Sequence, residues 1–172
     1  VAVDFDQDND LDLFVGGRVV PGKFPTTPRS YLLINQDGKF YERTEELATG
    51  LSEVGMVCSA LWTDYDNDQD VDLIVAGEWM PITVFENTGG KLSKRVDTGL
   101  ESFQGWWNSL AGGDMDNDGD IDYVVGNIGN NTAFKVQLGQ PLRMYAKDFD
   151  NNSSIDAIVT RFINDKETPI AS

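Results

Sequence analysis

Short apolar segments recur along the chain. In some the apolar residues alternate with polar ones and in others they are continuous, and both patterns predict β-strands. Examples are "LDLFVGG", "VDLIVAG" and "IDYVVGN", and two further runs, "YLLIN" and "ITVFEN", come before tight-turn residues. Helical character is limited to one stretch, "EELATGL", which is long enough for a single helical turn. The pattern therefore predicts an all-β fold built from short strands.

Part of this pattern is repeated along the chain. Four segments align without gaps: "DFDQDNDLDLFVGG" from Asp4, "DYDNDQDVDLIVAG" from Asp64, "DMDNDGDIDYVVGN" from Asp114 and "DFDNNSSIDAIVTR" from Asp148. A second motif, "INQDGKF", recurs as "ENTGGKL", and both have the composition of a turn between strands. About four strands per unit, at a spacing of about 50 residues, is typical of β-propeller blades. A jelly roll or sandwich would not repeat its sequence so faithfully.

We therefore predict one β-propeller segment of about three to four four-stranded blades, at residues 1–50, 51–102, 103–140 and 141–172. The ends of the sequence cut the first and last blades, and the third and fourth motifs are too close together for a full set of outer strands. Residues 19–30 form an inserted loop. Because the sequence begins with Val1 rather than methionine, we expect it to be a piece of a larger protein.

The charge of the chain is strongly negative and is concentrated in the repeated motif. The 172 residues include 29 acidic and 13 basic side chains and no histidine, for a net charge of −16. Of the acidic residues, 18 lie in the four Asp-rich segments. This balance argues against nucleic-acid binding, which requires a basic face. No apolar run approaches the roughly 20 residues that span a bilayer, so no membrane-spanning segment is predicted.

The spacing of the acidic residues indicates a metal site in each copy of the motif. Counted from the first Asp, the side chains at positions 1, 3, 5 and 9 can be directed toward one centre, and position 7 offers its backbone carbonyl. Oxygen ligands in this number favour Ca²⁺ over Mg²⁺, and zinc or copper would call for His or Cys. The predicted ligands are Asp4, Asp6, Asp8, Asp10 and Asp12; Asp64, Asp66, Asp68, Asp70 and Asp72; Asp114, Asp116, Asp118, Asp120 and Asp122; and Asp148, Asp150, Asn152, Ser154 and Asp156.

Electrostatics and turn geometry support the same interpretation. Two carboxylates about 4 Å apart repel by about 4 kcal/mol at an effective dielectric constant near 20, and a cation converts that repulsion into ligation. Position 6 needs a sharp turn, which Gly119 supplies best because glycine accepts a positive φ; Asn9 is the next best, and Gln69 and Ser153 are less suited. The fourth loop lacks this glycine and one carboxylate, so we expect three strong calcium sites and one weaker site.

Two alternatives compete with this calcium loop. An EF-hand begins in the same way but requires a Glu at position 12 and flanking helices. Position 12 is valine in every copy, which excludes an EF-hand: Val15, Val75, Val125 and Val159. The other alternative is a set of Asp-rich surface turns that bind no metal, and four copies at fixed spacing disfavour it.

The repeated "DxDxDGxxDhhV" pattern between strands, with its "NxxGKF"-like turns, resembles the FG-GAP/VCBS repeat. That family includes the integrin α-subunit propeller and many bacterial surface and secreted proteins. The resemblance implies a Ca²⁺-braced propeller that is extracellular, at the cell surface or periplasmic. The segment from Pro141 onward also resembles a continuation found in large bacterial repeat proteins of this type.

The leading functional hypothesis is a non-catalytic calcium-binding adhesion or binding module, or a scaffold, whose partner is an unknown protein or glycan at the cell surface. Such a module could also be one subunit of a larger surface assembly. No serine has a visible base and histidine is absent, so no catalytic residue is predicted. The alternative is a glycan-handling protein, a lectin or a polysaccharide lyase, with Trp79 or one of Trp106 and Trp107 facing the sugar. Trp62 and Cys58 are expected in the core.

Overall fold

The computed structural model describes residues 1–130, 132 and 134–170. Within these residues the chain forms short strands and a single four-residue helix, α1 (Thr44–Leu47), which overlaps the predicted helical turn. The all-β class predicted from the sequence is confirmed. None of the described helical residues forms a helix long and apolar enough to cross a membrane.

The first sheet is an antiparallel meander in the order β1-β2-β3-β4. Its strands are β1 (Ala2–Val3), β2 (Asp12–Val15), β3 (Tyr31–Gln36) and β4 (Lys39–Glu42). Asp37 and Gly38, with φ of +53° and +81°, form the turn between β3 and β4, and two consecutive positive φ angles match the twist of a hairpin. The first unit thus has four strands, of which β1 is only two residues long. The incompleteness of the first blade stays a prediction.

The second sheet has the same meander, extended at both edges. Its strands are β5 (Ala48–Thr49), β6 (Met56–Thr63), β7 (Asp72–Pro81), β8 (Thr83–Asn87) and β9 (Leu92–Lys94). The turn between β8 and β9 is made by Gly89 and Gly90, both with positive φ, as the repeated turn motif predicts. The short strand β5 pairs in parallel with β9 and covers the outer edge of the meander. The far end of β7 pairs with the start of β10 (Gln104–Gly113). From Trp107 to Gly113, β10 pairs with β11 (Asp122–Asn127).

Two packed clusters form the core around the second sheet. One face of that sheet contributes Leu73, Val75 and Phe85, which pack with Phe14 and Leu32 of the first sheet. Its other face contributes Ile74 and Val84, against which Trp107, Leu110 and Val125 of β10 and β11 are packed. The alternation of side chains along β7 thus buries both faces, as expected when sheets stack face to face.

The later part of the chain has fewer strands per repeat. Between residues 103 and 140, the described part of the chain contains β10, β11 and an isolated bridge between Gln137 and Gln140. That the third repeat has little room for outer strands stays a prediction. A separate sheet follows, in the order β12-β13-β14, formed by β12 (Arg143–Lys147), β13 (Asp156–Ile163) and β14 (Lys166–Pro169).

The chain divides into two compact units. The first comprises Val1–Arg18 and Thr27–Asn127, and the second comprises Val19–Thr26 and Ile128–Ser172. The first sheet, the second sheet and the β10–β11 pair lie in the first unit, and the three-stranded sheet lies in the second. The blade boundaries and the closure of a propeller ring remain predictions.

Candidate metal sites

The four Asp-rich segments occupy the same place in the fold. Each connects two antiparallel neighbours: β1 to β2, β6 to β7, β10 to β11 and β12 to β13. The Asp at position 9 is always the first residue of the second strand, where it pairs with the last residue of the first strand. The paired residues are Val3 and Asp12, Thr63 and Asp72, Gly113 and Asp122, and Lys147 and Asp156. Each loop is therefore closed at its base by the sheet itself.

The backbone coils through two left-handed residues in every loop. Position 6 has a positive φ, as predicted from Gly119, and the residues are Asn9, Gln69, Gly119 and Ser153. Position 4 is left-handed as well, which sequence reasoning missed, and its residues are Gln7, Asn67, Asn117 and Asn151. A signal was available, because Asn is several-fold enriched in this conformation and occupies position 4 in three copies.

The carboxylate at position 1 organises this coil. Asp4 accepts hydrogen bonds from the backbone N–H groups of Asp8 and Asn9, both at 3.0 Å. Asp64 and Asp148 accept the equivalent bonds at positions 5 and 6 of their loops. Asp114 differs slightly, since its donors are Asn117 at 2.7 Å and Gly119 at 3.2 Å. Position 1 therefore holds the loop in shape while its remaining lone pairs stay available to a cation.

The carboxylate at position 9 has a structural role in the first two loops. Asp72 is fully buried and accepts one hydrogen bond on each oxygen, from the N–H of Tyr65 at 2.7 Å and of Asn87 at 2.7 Å. Asn87 in turn accepts the N–H of Gly90 in the β8–β9 turn and donates to the carbonyl of Val71. Asp72 thus joins its own loop to the turn of the neighbouring hairpin.

The first loop repeats this arrangement. Asp12 is fully buried and accepts the N–H of Phe5 at 2.9 Å and of Asn35 at 2.8 Å, and Asn35 accepts the N–H of Gly38. In the third and fourth loops, Asp122 and Asp156 are half-buried and each accepts the loop N–H at position 2. The repeated "INQDG" and "ENTGG" turns therefore supply the second donor to position 9 in the first two repeats.

Three carboxylate oxygens converge in every loop, to within 4.8 Å of one another. Positions 1 and 3 belong to every cluster, joined by position 5 in the first loop and by position 9 in the other three. The clusters are Asp4, Asp6 and Asp8; Asp64, Asp66 and Asp72; Asp114, Asp116 and Asp122; and Asp148, Asp150 and Asp156. The structure therefore brings together part of each predicted ligand set, and the full sets remain a prediction.

The side chains at position 7 are engaged elsewhere in the first two loops. Asp10 accepts the backbone N–H of Asp37 at 3.2 Å, and Asp70 accepts the side-chain amide of Gln7 at 3.0 Å. The second contact links the first and second Asp-rich loops. Both are compatible with the prediction that position 7 contributes its carbonyl rather than its carboxylate.

Burial, neighbouring charges and hydrogen bonds shift the pKa values of several loop carboxylates. Burial, followed by the charges of Asp12 and Asp8, raises the pKa of Asp6, and burial followed by the charge of Asp68 raises the pKa of Asp66. In the third loop, hydrogen bonds from Asp120 lower the pKa of Asp118. Carboxylates whose negative charge is disfavoured by their neighbours are those that gain most from a cation.

The geometry and the donor set both fit a calcium ion. The ligands would be hard oxygens that approach one point from one loop, with the Asp at position 9 fixed by the sheet and the Asp at position 1 fixed by the coil. In the first loop Asp4, Asp6 and Asp8 converge while Asp12 holds the base, and in the other loops position 9 both holds the base and reaches the cluster. Asn152, Ser154 and the carbonyls of position 7 would complete the sets.

The aromatic and cysteine residues singled out in the sequence lie outside these loops. Trp62 is partly buried, packs against the first core cluster and lies 5.8 Å from the ring of Phe5, as expected of a core residue. Cys58 is half-buried rather than fully buried, and burial raises the pKa of its thiol, which favours the unreactive protonated form at neutral pH.

Replacement of Gly119 with alanine should destabilise the third loop by about 1 kcal/mol, because alanine is strained at positive φ. The φ of Gly119 is +101° and no atom lies within 4 Å of the point that an alanine Cβ would occupy, so the backbone alone opposes the substitution. Gly113→Ala is the matched control, since its Cβ also meets open space and its φ is not positive. Urea unfolding should separate the two variants, and equal stability would contradict the role of Gly119.

Comparison with known families agrees with this geometry. A family model described as an FG-GAP-like repeat matches twice, over residues 4–75 and 64–125. Each match begins at one Asp-rich loop and runs through the next, so the matched unit includes the strands between them. Among curated proteins, none matches the chain. The two matches together span more than half of the sequence, and the chain therefore belongs to the FG-GAP-like repeat family.

Proposed function

We propose that this chain is a calcium-braced, non-catalytic binding module of the adhesion or scaffold type. The observation that carries the proposal is the convergence of three carboxylate oxygens within 4.8 Å in each of four loops built on the same strand–loop–strand frame. Calcium would cancel the repulsion in each loop and hold two strands in register. Its role would be structural, since the carboxylates it binds are not free for acid–base chemistry.

The proposed location is extracellular, at the cell surface or periplasmic. Calcium loops of extracellular modules have Kd values of about 10⁻⁴–10⁻³ M, which are filled where calcium is abundant. The net charge of −16 would also keep such a module away from nucleic acids. The partner in this proposal is a protein or a glycan, or a larger surface assembly of which the chain is one subunit.

A calcium titration tests the proposal and ranks the loops. We expect up to four sites, with the loop from Asp148 filling last, because Asn152 stands where the other three loops have a carboxylate at position 5. Isothermal titration calorimetry of the chain and of Asp148→Ala would measure this, and the variant should lose only the weakest site.

Asp114→Ala is the variant matched to Asp148→Ala. It removes the position 1 carboxylate from the most complete loop and should abolish a strong site. Magnesium is the control ion and should bind more weakly, because the loops offer too few rigid octahedral positions. Binding of no calcium at millimolar concentration would sink the proposal. Equal affinity of all four loops would contradict the ranking alone.

A further inference from the structure

Trp79 has a backbone conformation that tryptophan rarely adopts. Its φ is +59°, whereas every other described non-glycine residue with a positive φ is Asn, Asp, Gln or Ser. For a bulky residue such an angle is a true outlier. Strain of this kind persists only where the surrounding structure enforces it, and it concentrates at functional sites and ligand clamps.

A β-bulge places this strained residue. Glu78 pairs with Trp106 and Met80 pairs with Gly105, so Trp79 is an extra residue on β7 with no partner on β10. The bulge is anchored by Met80, which is buried and packs so closely to Gly77 that a Cβ there would lie 2.8 Å from its sulfur. Bulges commonly re-aim a side chain next to a binding site.

The indole ring of Trp79, redirected by the bulge, packs against a second tryptophan, Trp106. In a regular strand the side chains of Glu78 and Trp79 would point to opposite faces. Here the ring of Trp79 lies 5.2 Å from the ring of Trp106, at an interplanar angle of 86°, while Glu78 lies directly opposite Trp106 in the register. Both indole rings are half-buried, so they present a partly exposed aromatic corner at this end of β7.

An ion pair borders the same corner. The guanidinium Nη2 of Arg18 lies 2.6 Å from Oε1 of Glu78, and the Arg18 side chain is 63% exposed. The pair brings hydrogen-bond donors and acceptors together with little net charge. The structure therefore combines aromatic surface with neutralised polar groups in one place.

We propose that Trp79, Trp106, Glu78 and Arg18 form a binding subsite for a neutral sugar ring of a glycan. The apolar C–H face of a pyranose stacks on an indole face, and its hydroxyl groups both donate to carboxylates and accept from guanidinium groups. Because Arg18 and Glu78 neutralise each other, their pair offers no net charge to attract a quaternary ammonium or an anionic ligand, and an alkyl chain would make no use of their donors and acceptors. The four side chains thus suit a neutral sugar better than the other classes.

The subsite rests on the proposed function, since it gives the proposed binding module a ligand class, but it lies apart from the calcium loops. The second loop ends at Asp72, at the start of β7, and Trp79 lies seven residues further on, roughly 20 Å along the strand. Sugar binding and calcium binding can therefore fail independently. The sugar test is carried out on the calcium-saturated chain, whose melting temperature reports on the loops.

The test uses neutral methyl pyranosides and a microarray of neutral glycans with the 172-residue chain. We expect sugar binding to quench tryptophan fluorescence, and Trp79→Gly to weaken the affinity by about tenfold or more, the loss expected for an aromatic anchor. Glycine accepts the positive φ, which offsets part of the packing lost with the indole ring, so we expect the variant to remain folded and to melt cooperatively. Loss of binding would then not reflect loss of folding.

Trp107→Phe is the matched control. Trp107 neighbours Trp106 in sequence but packs against the second core cluster and donates to the carbonyl of Phe103, so its variant should bind sugar as the wild type does. Unchanged affinity in Trp79→Gly would overturn the proposal. A folded, calcium-binding chain that binds no neutral sugar would do so as well, as would preference for tetramethylammonium or for acidic sugars.

Discussion

Excess EDTA should lower the melting temperature of the chain by roughly 8–16 °C relative to the calcium-saturated protein. Each loop that binds calcium only in the folded state adds about 1.4 kcal/mol at a free calcium concentration ten times its Kd. Three strong loops would add about 4 kcal/mol, and each kcal/mol shifts the melting temperature of a domain of this size by about 2–4 °C. Differential scanning calorimetry with and without EDTA would measure the shift.

The size of this shift follows from what the loops become without a cation. Each cluster holds three carboxylate oxygens within 4.8 Å of one another. Without calcium, the repulsion between these carboxylates opposes closure of the loop. Calcium added back in excess should restore the original melt, whereas magnesium should restore less of it. Sodium chloride at matched ionic strength controls for screening of the net charge. An unchanged melting temperature in excess EDTA would refute structural calcium binding.

The sequence predicted the repeating parts of this molecule well, because they depend on local chemistry. Apolar alternation placed the strands on either side of each Asp-rich loop, and the left-handed preference of glycine identified position 6 as a turn. The Gly89–Gly90 and Asp37–Gly38 turns were predicted in the same way, since consecutive residues with positive φ are required in such hairpins. Features that repeat at fixed spacing reveal themselves by comparison of the copies.

The parts that were missed depend on residues that are distant in the sequence. The sequence predicted the position 9 aspartate as a ligand like the others, without its structural role. That role depends on a backbone N–H far along the chain: Asn87, 15 residues from Asp72, and Asn35, 23 residues from Asp12. The bulge at Trp79 depends on its register with Trp106, which no local pattern in "GEWMPI" specifies. The parallel pairing of β5 with β9 also brings together segments that are far apart in the chain.

Replacement of Asp72 with alanine should lower the free energy of unfolding by about 3 kcal/mol, in EDTA as well as in calcium. The alanine side chain would leave the N–H groups of Tyr65 and Asn87 without their acceptor in a buried place. Each such loss costs about 1–3 kcal/mol. Part of the cost is offset, because burial raises the pKa of Asp72 and alanine removes that buried charge. Urea unfolding in EDTA isolates this effect from any change in calcium affinity.

The matched control is Asp122→Ala, which changes the same motif position in the third loop. Asp122 is half-buried and accepts the N–H of Met115, so its replacement should cost distinctly less in EDTA than that of Asp72. Asp72→Asn should fall between the wild type and Asp72→Ala, since an amide oxygen can satisfy one of the two donors and its NH₂ group faces the other. Calcium should widen the gap between wild type and every one of these variants, because each also loses a carboxylate from a cluster. Equal losses for Asp72→Ala and Asp122→Ala in EDTA would mean that the hydrogen bonds to Tyr65 and Asn87 do not stabilise the second repeat, and that position 9 acts there through its charge alone.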